Sequence, residues 1–172
     1  GQSPFPCEEA ESSGPAIGGE LANQMGAYQP NNTYFLKFDA LFPMLIDSVR
    51  VYANGAASRT FALLSPQGDI DQTVTLDVPD GESWVVLGFE VPAGSGFGLN
   101  CINQDPQLWR DAPPSELNYP YPLGDLGSIT GTNIAGANTY AYYYYFYEWH
   151  VSPNGAAAYS GGYPCWIVEL LD

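Results

Sequence analysis

The sequence predicts an all-β protein, a two-sheet antiparallel β-sandwich of jelly-roll-like kind. Three observations carry that prediction. Short runs alternate apolar with polar residues at the two-residue period of a strand, as in Leu36-Lys37-Phe38-Asp39 and Val49-Arg50-Val51-Tyr52. Turn sequences such as Asn54-Gly55, Ser65-Pro66-Gln67-Gly68 and Pro79-Asp80-Gly81 separate the runs at short intervals. No stretch has the i, i+3, i+4 spacing of an amphipathic helix.

Residues 1–19 are rich in Pro, Gly and Ser and carry Glu8, Glu9 and Glu11, which reads as an extended N-terminal arm before a sandwich domain spanning 20–172. Residues 21–27 are weakly strand-like, and Gln29-Pro30-Asn31-Asn32 is a turn. Strands are predicted over 34–41, 45–53, 60–64, 72–78, 84–91 and 97–102 from their β-branched and aromatic content. Pro79-Asp80-Gly81 reads as the tight turn of a hairpin joining 72–78 to 84–91. In that hairpin Val85, Leu87, Phe89 and Val91 share the inner face, so Trp84 points outward. Between 103 and 138, Pro106, Pro113, Pro114, Pro120 and Pro122 confine regular structure to edge pieces near 108–110 and 128–130. A closing strand is predicted over 165–171.

The strongest strand by composition is 140–151, Tyr-Ala-Tyr-Tyr-Tyr-Tyr-Phe-Tyr-Glu-Trp-His-Val. Alternation divides it into a face with Tyr143, Tyr145, Tyr147, Trp149 and Val151, and a face with Tyr142, Tyr144, Phe146, Glu148 and His150. Because Glu148 and His150 favour water, the odd-numbered face is expected in the core. Tyr142, Tyr144 and Phe146 should then form an outward ladder of rings.

Charge excludes several function classes. The chain carries 19 acidic against 4 basic residues, a net charge of −15, which repels nucleic-acid phosphates and anionic membranes. A hydrophobic content of 45% nevertheless sets it apart from disordered acidic chains. The charge-free stretch 126–147 is too polar, with its Gly, Asn, Thr and Tyr, to insert in a membrane. Gly1-Gln2-Ser3-Pro4 reads as the start of a processed chain, so an extracellular or cell-surface location is expected.

Three cysteines, Cys7, Cys101 and Cys165, allow three pairings and lack metal-site spacing. Cys7 with Cys165 is the preferred disulfide, since it would clamp the two ends of the chain. No cofactor is expected beyond a structural calcium at the loop aspartates Asp69, Asp71, Asp77 and Asp80, whose carboxylates suit a hard cation.

Several segments together form an ordered string: Ser48-Val49-Arg50-Val51-Tyr52-Ala53-Asn54-Gly55-Ala56, Arg59-Thr60-Phe61-Ala62-Leu63, Val78-Pro79-Asp80-Gly81-Glu82-Ser83, Phe89-Glu90-Val91-Pro92-Ala93-Gly94, Leu108-Trp109-Arg110, Tyr119-Pro120-Tyr121-Pro122 and Tyr144-Tyr145-Phe146-Tyr147-Glu148-Trp149. In that order they resemble a β-sandwich module of secreted and surface proteins from Bacteroidetes-type bacteria, exported by the type IX route. The resemblance covers residues 18–151. It implies a non-catalytic extracellular module and supplies no catalytic residues.

The residues agree with a protein that is not an enzyme. His150 is the sole histidine, and strand parity pairs it locally with Glu148. The work is therefore expected of surfaces. One expectation is a structural or adhesive subunit, self-assembling into a surface filament through its arm and its aromatic faces, with copies of itself or other cell-surface proteins as partners. The other is a carbohydrate-binding module that stacks polysaccharide on Trp84, Trp109, Tyr142, Tyr144 and Phe146.

Overall fold

A computed structural model describes residues 14–154, which form thirteen strands and one 3-10 turn. In chain order the strands are β1 (Ala16–Gly18), β2 (Gly26–Gln29), β3 (Leu36–Ala40), β4 (Met44–Ala53), β5 (Ala57–Leu64), β6 (Ile70–Val78) and β7 (Gly81–Val91). They continue with β8 (Gly94–Cys101), β9 (Leu108–Asp111), β10 (Tyr121–Pro122), β11 (Gly127–Thr132), β12 (Tyr143–Tyr144) and β13 (Tyr147–Pro153). The 3-10 turn, Gly136–Tyr140, precedes β12.

Two antiparallel sheets pack face to face as the sequence predicts. The seven-stranded sheet centres on β4, with β7 along one edge and β13 then β1 along the other, while β9 meets β4 at Ala53 and carries β2 and β12. The six-stranded sheet runs β10-β11-β3-β8-β5-β6. Alternation explains the layering: Met44, Ile46, Val49, Val51 and Ala53 of β4 are buried, while the intervening residues face outward around one bulge. The layers interlock through rings, with Phe38 of β3 edge-on to Trp149 of β13 at 5.3 Å.

The hairpin expected at Pro79-Asp80-Gly81 does not form. β6 pairs with β5 in one sheet and β7 pairs with β4 in the other, so the turn is a crossover between layers. Asp80 secures the crossover by accepting the Gly55 N–H at 2.7 Å, and Gly81 supplies the φ of 86° it needs. Turn chemistry is the same in a hairpin and an interlayer arch, and only the choice of partner strand distinguishes them.

The tyrosine-rich segment also departs from one continuous strand. It divides into the 3-10 turn, β12 and β13, with Tyr145 at φ 72° and Glu148 at φ 43°. The Phe146 N–H donates to the Tyr144 carbonyl at 2.9 Å, closing a three-residue γ-turn around Tyr145. This turn breaks the period of two, so Tyr144 and Phe146 are buried along with Tyr143, Tyr145, Tyr147 and Trp149. The outward ring ladder is thereby corrected: Phe146 meets Phe61 of the opposite sheet at 6.0 Å, and Tyr144 packs against Tyr34 at 6.0 Å. Hydrogen bonds offset the strain. The Phe146 carbonyl accepts both the Tyr143 hydroxyl at 2.5 Å and the Trp149 indole N–H at 2.9 Å, while Tyr145 donates to the Asn31 carbonyl at 3.0 Å.

Part of the predicted arm belongs to the sandwich. β1 pairs with β13 through Ala16↔Val151 and Gly18↔Trp149. Gly18 lies so close to the β10 end that an added Cβ would stand 2.2 Å from the Pro122 carbonyl oxygen. Cys7 and Cys165 lie outside the described residues. Cys101 is buried in the core as a free thiol, and burial pushes it up to about 11. Arg59, also buried, donates to the carbonyls of Pro106 at 2.7 Å and Gly55 at 3.1 Å, fastening two loops to β5.

Candidate functional site

The outer face of the seven-stranded sheet gathers the most chemistry. Trp84 sits on the edge strand β7 between the inward residues Ser83 and Val85, so its indole points to solvent and is 45% exposed. Its cross-strand neighbour on β4 is Arg50, whose guanidinium lies over the indole at 4.7 Å from the ring centroid. From the third strand, His150 presents its edge to the same indole at 5.0 Å. The outward orientation read for Trp84 from strand parity matches the structure.

Ionic contacts hold these groups in place. Glu148 is a double acceptor, taking Arg50 Nη2 at 3.1 Å on one oxygen and facing His150 Nε2 at 3.0 Å with the other. Arg50 Nε approaches Glu82 at 3.3 Å, and its Nη1 donates to the Leu21 carbonyl at 3.3 Å. The local pairing of His150 with Glu148 thus agrees with strand parity, although the backbone at Glu148 is bulged. The edge strand is fastened as well. Gln72 reaches from β6, donating to the Glu90 carbonyl at 2.6 Å and accepting the Glu90 N–H at 3.2 Å, as a neighbouring strand would.

Beyond His150, the same face opens into a groove of about 450 Å³ lined by Pro15, Ala16, Ile17, Asp47, His150 and Val151. Asp47 projects from the bulge of β4 and accepts the Ser152 hydroxyl at 2.9 Å. Ile17, Leu21, Trp84 and Val86 are the large exposed apolar residues around this region.

The other predicted site residues are not brought to this face. Trp109 is half-buried on β9, its indole N–H bound to Asp111 at 3.0 Å and its ring edge-on to Tyr28 at 5.1 Å. Tyr142 is half-buried under the Arg110 guanidinium at 4.7 Å, and Tyr144 and Phe146 lie in the core. A separate groove of about 300 Å³ opens between Tyr119, Pro120, Thr130 and Tyr140.

The calcium ligands expected at Asp69, Asp71, Asp77 and Asp80 do not converge. Asp69 and Asp71 flank the start of β6, and Asp77 and Asp80 its end, roughly 20 Å away along an extended chain. Among the described residues, no three His, Cys, Asp or Glu side chains come together as metal ligands would. No helix there is long and apolar enough to cross a membrane.

One carboxylate is buried for structural reasons. Asp111 Oδ1 accepts from the Gln24 N–H at 2.8 Å, the Trp109 indole at 3.0 Å and the Tyr147 hydroxyl at 3.0 Å, while Oδ2 has no partner. Burial raises its affinity for a proton, and those hydrogen bonds oppose the rise. The nearby Glu20 accepts from the Tyr121 hydroxyl, and from Gln24 Nε2 at 3.1 Å. The cluster joins the β1–β2 loop to β9, β10 and β13.

No family model, curated protein or solved structure matches this chain. The site must be read from its own geometry. Arg50 and Glu82 are the members that sequence reasoning did not single out. Their signal was their outward parity on β4 and β7, which becomes a shared site only once Arg50↔Trp84 and Tyr52↔Glu82 fix the register.

Proposed function

We propose that this chain is a non-catalytic adhesive module of the cell exterior that holds polysaccharide on the outer face of its seven-stranded sheet. The observation that carries the reading is Trp84: a large, exposed aromatic surface on a strand, held in one orientation by Arg50 and His150 and ringed by carboxylates. Sugar rings stack on such a platform, and carboxylate oxygens accept their hydroxyls. A rigid anchor limits the entropy lost on binding. Export is supported by the acidic composition and by the ordered string of segments that resembles surface modules.

Self-assembly through a tyrosine ladder would need Tyr144 and Phe146 at the surface, and both are buried. Adhesion at the Trp84 face has no such requirement. The reading assigns no catalytic residue, because His150 is engaged by Glu148 and Trp84 rather than aimed at a nucleophile.

The test is retardation of the protein in native gels cast with soluble polysaccharides. At least one polysaccharide should slow the wild type, and Trp84→Ala should remove the effect while circular dichroism stays unchanged. Losing an anchoring tryptophan costs about 2 kcal/mol or more, roughly thirtyfold in affinity. Equal retardation of the variant and the wild type would overturn the proposal.

A further inference from the structure

We propose, resting on the reading above, that the ligand is a neutral polysaccharide lying across the strands, from Trp84 to the groove beside Ile17. Three observations fix its direction and its charge.

Register supplies the direction. Ile17 of β1 is opposite His150 of β13, His150 opposite Ser48 of β4, and Ser48 opposite Val86 of β7. Directly paired residues point to the same side of a sheet. These four side chains therefore form one transverse row on the outer face, about 14 Å long at the usual strand spacing. Both ends are apolar and open, Ile17 at 57% and Val86 at 68% exposed, with Trp84 beside the Val86 end. An oligosaccharide following this row passes from the indole over His150 into the groove.

Hydrogen-bonding capacity supplies the chemistry. The face is rich in acceptors, with the carboxylates of Asp47 and Glu148 beside the row and that of Glu82 on the far side of Trp84. Its donors, Arg50 and His150, are already turned to Glu82 and Glu148. A ligand that brings many hydroxyl donors and no charge complements that arrangement. A uronate or sulfated chain would place its anions against the three carboxylates of a protein with a net charge of −15.

Occupancy of the indole argues against a cationic polymer. Arg50 already sits over the Trp84 ring at 4.7 Å, in the position a ligand cation would take. What remains of the exposed indole suits the apolar side of a sugar ring.

The experiment uses the full chain and isothermal titration calorimetry with soluble neutral β-glucan, alginate and poly-lysine. Tetrasaccharide and disaccharide fragments of the glucan are titrated as well. The neutral glucan should bind with little dependence on salt, and alginate should not. Ile17→Asp, and the milder Ile17→Ser in case the first disturbs β1, should weaken the tetrasaccharide about tenfold, as loss of an end contact does, and leave the disaccharide unchanged. Trp84→Ala should abolish both. Preferential binding of alginate overturns the neutral-ligand inference and leaves the carbohydrate reading standing. Full tetrasaccharide affinity in both Ile17 variants, with Trp84→Ala inactive, overturns the transverse path alone. Binding of poly-lysine only, or of none of the polymers, overturns both.

Discussion

Raising the pH should unfold this protein over a narrow interval, because its core holds ionisable phenols that cannot ionise in place. Tyr121, Tyr143, Tyr144, Tyr145 and Tyr147 are buried, Tyr119 is packed half-buried against them, and burial is the main cause that holds each one's proton above the ordinary tyrosine range. In the unfolded chain the same phenols ionise near pH 10. Above that value the folded state retains about six protons that the unfolded state has released, so stability falls as pH rises. Each such proton contributes about 1.36 kcal/mol per pH unit, giving a slope of roughly 8 kcal/mol per unit for the six groups. A domain with an ordinary stability of about 5–15 kcal/mol then unfolds within roughly one to two units above pH 10. Stopped-flow pH jumps that follow tyrosinate absorbance and far-ultraviolet circular dichroism together would test this. The two signals should change as one cooperative step. Gradual ionisation of all the tyrosines near pH 10, with the β-sheet signal intact, would refute the assignment of these rings to the core.

Two further outcomes follow from the buried polar groups. Asp111→Ala removes the acceptor for Tyr147, Trp109 and the Gln24 N–H, and should cost about 3 kcal/mol or more in urea unfolding, since each of the three stranded donors costs at least about 1 kcal/mol. Asp111→Asn keeps an oxygen at Oδ1 and replaces the partnerless Oδ2, so it should be far milder. The pH trend separates the two effects. Because burial raises the folded carboxyl above its unfolded value, its contribution is fully present below about pH 4 and is lost as pH rises through the folded value. Wild-type stability relative to Asp111→Asn should therefore decline as pH rises above that point, and a flat difference would sink the argument. Cys101, buried and held up to about 11, should resist iodoacetamide in the folded protein and react once urea unfolds it. Rapid labelling under native conditions would place it elsewhere than the core.

Local pattern made most of the sandwich legible. Strands expected at 45–53 and 84–91 correspond to β4 and β7, because one wet face and one dry face impose an alternation that survives in the text. The expected 72–78 strand corresponds to β6, and the 60–64 strand extends back to Ala57 in β5. The segment 21–27 was less legible. Pairing with β9 begins only at Gly26, whose Cβ, were there one, would stand 1.8 Å from the Arg110 carbonyl oxygen. At the candidate site, Trp84 could be read as outward and His150 as Glu148's neighbour. Arg50 and Glu82 could not be placed beside them, because cross-strand neighbours are far apart in sequence.

By itself the sequence determined an acidic chain of short alternating strands with no amphipathic helical pattern, since side-chain period and turn chemistry act over a few residues. Tertiary structure decided which strands became partners: Pro79-Asp80-Gly81 crosses between layers instead of closing a hairpin. It also decided that Tyr145 turns, sending Tyr144 and Phe146 into the core. Burying those rings against Phe61 and Tyr34, with their polar neighbours hydrogen-bonded, outweighs a strained backbone angle of a kind that costs about 1–3 kcal/mol. That balance depends on residues brought from the opposite sheet, and no local reading of the chain contains them.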